Sequence, residues 1–273
     1  MIKNTDGTET FYCERGDPKD KAMLLLHGIG ADHGMWQPQI NEYTSKGYFV
    51  LAPDLLGHGK SSRVGKLELE DWERQIRDLL REKRQERCIL IGVSMGGVIA
   101  QSFAVNHPQI VSRLILSDTF GELETFREKL LGISQVIGFR LYKVLGARML
   151  AKGMAAAYKA PFAQQARDYF TRVSLDADFE QLILARKAIN RVDVIDKLKG
   201  IDIPTLVMVG DQFGKSFIEI NRKIANAIKG AKFVVLRKAM DPSNLVNPAS
   251  FNHQVLAFLN ESFHTGERRV KIG

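Results

Sequence analysis

Cysteine is nearly absent. Cys13 and Cys88 are the only two in 273 residues. They lie far apart and form neither a metal-ligand spacing nor a disulfide framework, so both are expected to be reduced and buried. No apolar run approaches the ~20 residues that a membrane span needs. The opening Met1-Ile2-Lys3-Asn4-Thr5-Asp6-Gly7 has neither the apolar core nor the cleavage pattern of a secretory leader. The expectation is a soluble, cytoplasmic protein with no membrane partner. Acidic residues are outnumbered, giving a net charge of +8. The basic residues are scattered rather than interleaved with aromatics, which argues against nucleic acid as a partner. Internal repeats and low-complexity stretches are also missing. What remains is a chain that is 45% apolar, enough for one large core plus a small inserted unit.

Six short apolar runs read as strands: Ala22 to Leu26, Tyr48 to Ala52, Cys88 to Val93, Leu114 to Ser117, Thr205 to Val209 and Phe233 to Leu236. None alternates with polar residues. Continuous apolar runs suit strands covered on both faces, as in a mostly parallel sheet. Helical patterns lie between them, at Leu67 to Lys83, Val98 to Val105, Phe217 to Ile228 and Phe251 to Phe263. Leu69, Trp72, Ile76, Leu79 and Leu80 form the apolar stripe of the first. Alternating strands and helices predict a doubly wound α/β sheet. Residues 121–200 break the alternation with helical patterns alone, and are expected to form an inserted helical lid. The division is therefore a core of 1–120 and 201–266, a lid of 121–200 and a loose tail of 267–273.

The stretch Cys88-Ile89-Leu90-Ile91-Gly92-Val93-Ser94-Met95-Gly96-Gly97-Val98 is the most informative. It reads as a strand, a Gly-x-Ser-x-Gly turn and a small apolar helix. Such a turn is so tight that side chains at Gly92 and Gly96 would collide with neighbouring elements. It lifts the Ser94 hydroxyl to the sheet's C-terminal edge, at a helix N-terminus. A second turn, His27-Gly28-Ile29-Gly30, follows the strand ending at Leu26. Ile29 and Met95 N–H groups are the candidate oxyanion hole. His27 is expected to brace this loop, and His27, Gly28 and Phe213 are grouped as substrate-side residues. Asp54 and His58, in Asp54-Leu55-Leu56-Gly57-His58-Gly59, read as loop-shaping. No further ligands stand close enough to suggest a metal, and no cofactor is expected.

Together these motifs resemble the α/β-hydrolase superfamily, and more narrowly its lid-bearing esterases, lactonases and carbon–carbon bond hydrolases. The resemblance spans nearly the whole chain. It runs from Phe11-Tyr12 with Gly16-Asp17-Pro18, through the Ser94 turn, to Ile203-Pro204-Thr205-Leu206-Val207-Met208-Val209-Gly210-Asp211 and Asn247-Pro248-Ala249-Ser250-Phe251-Asn252. It implies a serine nucleophile supported by a histidine and an acid. The last third departs from that pattern. Phe213 stands where the family carries its acid, with Asp211 two residues earlier. Asp241 stands where the family carries its histidine, and His253 falls on the following helix. The candidate catalytic set is therefore Ser94, Asp241 and Asp211. Two adjacent carboxylates would raise one another's pKa and make Asp241 a stronger base.

The leading expectation is a hydrolase of a small ester, lactone or related carbonyl compound, with an apolar pocket lined by lid residues such as Met149, Met154, Phe162 and Phe170. The alternatives are a lyase or isomerase using the same pocket, and a catalytically silent ligand-binding relative. Substrate identity and oligomeric state are not legible in the sequence.

Overall fold

All six apolar runs are strands in the computed structural model, which describes residues 1–261. In chain order the strands are β1 (Ile2–Lys3), β2 (Glu9–Thr10), β3 (Tyr12–Arg15), β4 (Lys21–Leu26), β5 (Tyr48–Pro53), β6 (Cys88–Val93), β7 (Val111–Ser117), β8 (Thr205–Gly210) and β9 (Lys232–Leu236). The first two pair only with each other. The remaining seven form one sheet in the order β3-β5-β4-β6-β7-β8-β9. Only β3 runs antiparallel to its neighbour. All residues of β6 and β8 are buried, as continuous apolar runs require when both faces are covered.

The helices on the two faces are α1 (Gln37–Ser45), α2 (Leu69–Glu82) and α3 (Met95–Asn106), and, after the insertion, α9 (Lys215–Ala227), α10 (Ser243–Val246) and α11 (Pro248–Leu259). The expected stripe of α2 buries Trp72, Ile76, Leu79 and Leu80. Two apolar cores lie on opposite sides of the sheet. Leu24, Leu90, Phe103 and Leu114 belong to one, and Met23, Ile91, Trp36 and Phe251 to the other.

Between β7 and β8 the chain makes a helical excursion: α4 (Phe126–Leu145), α5 (Ala147–Ala157), α6 (Gln164–Val173), α7 (Phe179–Ile189) and α8 (Ile195–Leu198). Among the described residues its one strand-like feature is the bridge Glu122↔Asp193. The excursion packs over loops at the C-terminal edge of the sheet. Tyr169 Oη donates to Asp32 Oδ1 at 2.8 Å, Tyr158 Oη to the Asp241 carbonyl at 2.8 Å, and Gln181 Nε2 to the Val64 carbonyl at 2.9 Å. One expectation needs correction. Cys13, on the edge strand β3, is only half-buried, while Cys88 is buried and its thiol is pushed up to about 12 by that burial. The tail 267–273 lies outside the described residues.

Candidate active site

Ser94 sits between β6 and α3 with φ 55° and ψ −119°, a left-handed conformation that a non-glycine residue holds only under constraint. The constraint is visible on both sides. Ser94 N–H donates to the Ser117 carbonyl at 3.0 Å, and Thr119 Oγ1 donates to the Ser94 carbonyl at 2.8 Å. A β-carbon on Gly92 would overlap the Gly96 carbonyl, and one on Gly96 would overlap the Leu26 carbonyl. The two glycines therefore let strand, turn and helix meet at backbone distance.

The loop after β4 presses against this turn. A β-carbon built on Gly28 would stand 3.3 Å from Ser94 Cβ and 3.9 Å from Ser94 Oγ. Neither Ile29 N–H nor Met95 N–H has an acceptor among the described residues. The two candidate donors are thus free beside the serine. His27 is fully buried, with Nδ1 2.8 Å from the Gly28 carbonyl and Nε2 accepting from Leu55 N–H at 3.0 Å. Both ring nitrogens are engaged, so His27 braces the loop and has no polar atom left for a substrate.

Ser94 Oγ donates to Asp241 Oδ2 at 2.9 Å. The residue at the resemblance's histidine position therefore reaches the serine directly. The second carboxylate beside it is Asp118, not Asp211. Asp118 follows β7, next to the strand that carries Ser94, and also has positive φ, at 51°. Its oxygens accept from Gly210 N–H at 2.8 Å, Ser243 N–H at 2.8 Å and Ser117 Oγ at 2.9 Å. Asp211 lies in a short 3-10 turn, where its Oδ1 accepts from Gln212 Nε2 at 2.9 Å and weakly from Ala239 N–H at 3.4 Å. Phe213, at the end of that turn, is 46% exposed and packs its ring on Phe217. Asp211 was expected beside Asp241, but the carboxylate acting on Asp241 is Asp118, which Gly210 N–H at the end of β8 holds.

Burial raises the pKa of Asp241 well above the usual carboxylate range, and the Asp118 charge raises it further; Ser94 and Arg186 oppose the shift. Burial also raises Asp118, against the donors aimed at it from Gly210, Ser243 and Ser117. Those donors favour the ionised form of Asp118. The Asp118 charge in turn opposes ionisation of Asp241. Asp241 is only partly shielded from solvent.

Arg186, from α7, is a further member that sequence reasoning missed. It is 6% exposed, it stacks over Phe120 at 5.3 Å, and its side-chain N–H groups have no hydrogen-bond partner among the described residues. Burial lowers its pKa to about 10, with Asp241 pulling the other way. The available signal was an arginine inside the apolar run Leu182-Ile183-Leu184-Ala185-Arg186.

A cavity of about 560 Å³ opens beside Ile29 and Gly30, with Phe139, Leu150, Met154 and Phe170 from the excursion on its other wall. Met154 and Phe170 are where the sequence put them. Met149 instead points outward at 43% exposure, one helical step from Leu150, and Phe162 packs into the core. Asp54 is fully buried. Burial alone would raise its pKa, but hydrogen bonds from His33 Nδ1 at 2.7 Å, His33 N–H at 2.7 Å and Lys60 N–H at 2.8 Å hold it below the ordinary value. His58 is buried and pushed down to about 3 by that burial. Both shape the loop. Asp32, His33 and Asp54 do bring three possible ligand atoms within 4.8 Å of one another, a grouping the sequence did not reveal. Asp32 and Asp54 already accept backbone N–H bonds there.

A strained serine between a parallel strand and a buried helix, on this strand order, defines an α/β-hydrolase fold. A family model described as alpha/beta hydrolase fold matches residues 21–137. The chain is 26% identical over 256 residues to a 3-oxoadipate enol-lactonase of Acinetobacter baylyi, covering 91% of this chain and 92% of that protein. The crystal structure of an enol-lactonase from Burkholderia xenovorans is similar at 25% identity and a TM-score of 0.82, covering 95% of this chain and 99% of the other. An esterase from Exiguobacterium antarcticum shares the fold at 22% identity and a TM-score of 0.83, covering 95% and 98%. The fold is that of the α/β hydrolases, and residues 21–137 are similar to that family's model.

Proposed function

We propose that the protein is a serine-dependent hydrolase of a small ester, lactone or related carbonyl compound, with a carboxylate in place of the usual imidazole base. The observation that carries this is the 2.9 Å hydrogen bond from Ser94 Oγ to Asp241 Oδ2. Ser94 Oγ attacks the carbonyl carbon as its proton passes to Asp241. The developing oxyanion is held by Ile29 and Met95 N–H, the two donors left free beside the serine. Asp241 then returns the proton to the departing oxygen, and water repeats the sequence on the acyl-enzyme. An aspartate with an ordinary pKa near ~3.9 is a poor base for a hydroxyl. Burial and the Asp118 charge make Asp241 a better one once it is ionised. Arg186 balances that charge, and its free N–H groups suit an anionic group on the substrate. The helical excursion acts as the lid over the cavity.

A nitrophenyl ester series across pH tests this. The rate should rise with pH as Asp241 ionises, with the limb well above ordinary carboxylate values and no separate imidazole limb near ~6.5. Ser94→Ala should remove most turnover, and Asp241→Asn should cost ~10²–10⁴-fold in kcat. Carboxylate-bearing esters should show a lower KM than neutral ones, and Arg186→Met should remove that preference. Unchanged turnover in Ser94→Ala would overturn the reading. A second reading, proton transfer to a bound carbonyl by a lyase or isomerase, is favoured by the burial and the Asp118 charge that raise the pKa of Asp241. It predicts activity that survives Ser94→Ala and needs Asp241.

A further inference from the structure

The outer face of α4 is apolar and uncovered. Phe126, Leu130, Ile133, Ile137, Leu141 and Val144 recur at spacings of three and four residues, and each is between 52% and 84% exposed. At 3.6 residues per turn they form one stripe along the helix. Twenty residues make that stripe roughly 30 Å long. Leu131, Leu145 and, on α5, Met149 widen it at 57%, 50% and 43% exposure. Helix α4 is held to the protein by its other side, where Val136 is buried and Gly132 packs against Asn190. A soluble surface rarely leaves so continuous an apolar patch without a use.

The charge around the patch points to what covers it. From Lys129 to Lys159 the sequence has no acidic residue and six basic ones: Lys129, Arg140, Lys143, Arg148, Lys152 and Lys159. All six are exposed. Lys143 pairs with Glu180; the other five have no ion-pair partner among the described residues. Lys129 and Arg140 fall on the same flank of the α4 stripe. A second copy of the chain is a poor occupant, because a two-fold interface would set two such basic rims against each other. An apolar face with a basic rim is instead the signature of a helix lying in the headgroup layer of an anionic bilayer.

We infer that α4 and the start of α5 dock the protein on an anionic phospholipid surface, with the stripe in the acyl boundary and the basic rim on the headgroups. Membrane contact of this kind needs no spanning segment, and no helix among the described residues is long and apolar enough to cross a bilayer. The inference does not depend on the catalytic reading. It does bear on access, since Phe139, Leu150 and Met154 of the same two helices face inward to the cavity.

Co-sedimentation of the full chain with extruded vesicles tests the inference. One set is phosphatidylcholine alone, and the other holds about 30% phosphatidylserine, enough to give a negative surface potential. The chain should bind the anionic set, weakly or not at all the neutral set, and be released by high salt. Ile137→Glu with Val144→Glu should abolish binding. Arg140→Ser with Lys152→Ser should weaken it by at least ~10-fold, since each basic residue contributes about fivefold. Both pairs sit on exposed positions, and unchanged thermal melts would show the fold intact. Failure of the chain to bind anionic vesicles overturns the inference. So does equal, salt-insensitive binding to neutral vesicles. A dimer in sedimentation velocity that Ile137→Glu dissolves, without vesicle binding, would assign the face to a second copy instead.

Discussion

Among the described residues, the Ser94 side chain hydrogen-bonds to a carboxylate whose own neighbour is a second carboxylate. That neighbour changes what a single substitution should do. In the resemblance the acid position holds Phe213, and on that pattern a histidine at 241 would lack a firmly placed orienting acid. With Asp118 already behind position 241 and held by three donors, the support is present. Asp241→His alone should therefore raise turnover of nitrophenyl acetate at neutral pH, by as much as the ~10²–10⁴-fold typical of a positioned general base. Adding Asp118→Asn should forfeit most of the gain, because the imidazolium that forms would lose its stabilising charge. Steady-state rates of the two folded variants measure this directly; equal rates would show that Asp118 does not orient position 241. Ser94, Gly28 and the free N–H groups of Ile29 and Met95 were legible in sequence because each follows a strand in a short motif, whereas Asp241 came only from the position it holds in the family resemblance. Asp118 follows a strand too, directly after Leu114-Ile115-Leu116-Ser117, but no motif surrounds it. Only the pairing of β7 with β6 brings it to the serine.

At the level of elements, apolar run length was the reliable signal. Strands β4 to β8 bury most of their residues, and burial is what writes a continuous apolar run into a sequence. The edge strand β3, Tyr12-Cys13-Glu14-Arg15, is half-buried at best and reads as nothing in particular. The two-residue strands β1 and β2 are shorter than any periodicity. Helix boundaries came within a few residues, as at α2, expected over 67–83 and found over 69–82. The β6–turn–α3 unit carries its own prediction. Gly96→Ala would put a methyl group into the Leu26 carbonyl, which is backbone and cannot rotate away. Overpacking of this kind costs about 1–3 kcal/mol or more. Thermal denaturation should show that loss, with ester turnover falling as Met95 N–H is displaced. A variant that melts with the parent would mean the turn is looser than its contacts imply.

For the whole molecule, the buried carboxylate pair links stability to pH. Asp118 and Asp241 both titrate above their unfolded values. A group raised in this way favours the fold fully below the unfolded carboxylate pKa, near ~3.9, and loses that contribution as pH rises through the folded value. Melting temperature should accordingly decline with rising pH across that window, and Asp241→Asn should flatten the decline. A parallel profile in that variant would assign the dependence elsewhere. Stability and the proposed chemistry then respond to pH in opposite directions, since the ionised Asp241 that accepts the proton is also the form the fold holds least well. The same arrangement separates the protein's reactivity from its histidines. Among the described residues no histidine hydrogen-bonds Ser94: His27 and His58 are buried, His33 is tied to Asp54, His107 sits near Glu73 and His253 lies exposed on α11. Diethyl pyrocarbonate, which acylates accessible imidazole, should label His253 and leave ester turnover intact. Zinc or copper ions, which bind neutral imidazole, should find no histidine bonded to Ser94 among the described residues, and micromolar additions of either ion should leave ester turnover unchanged.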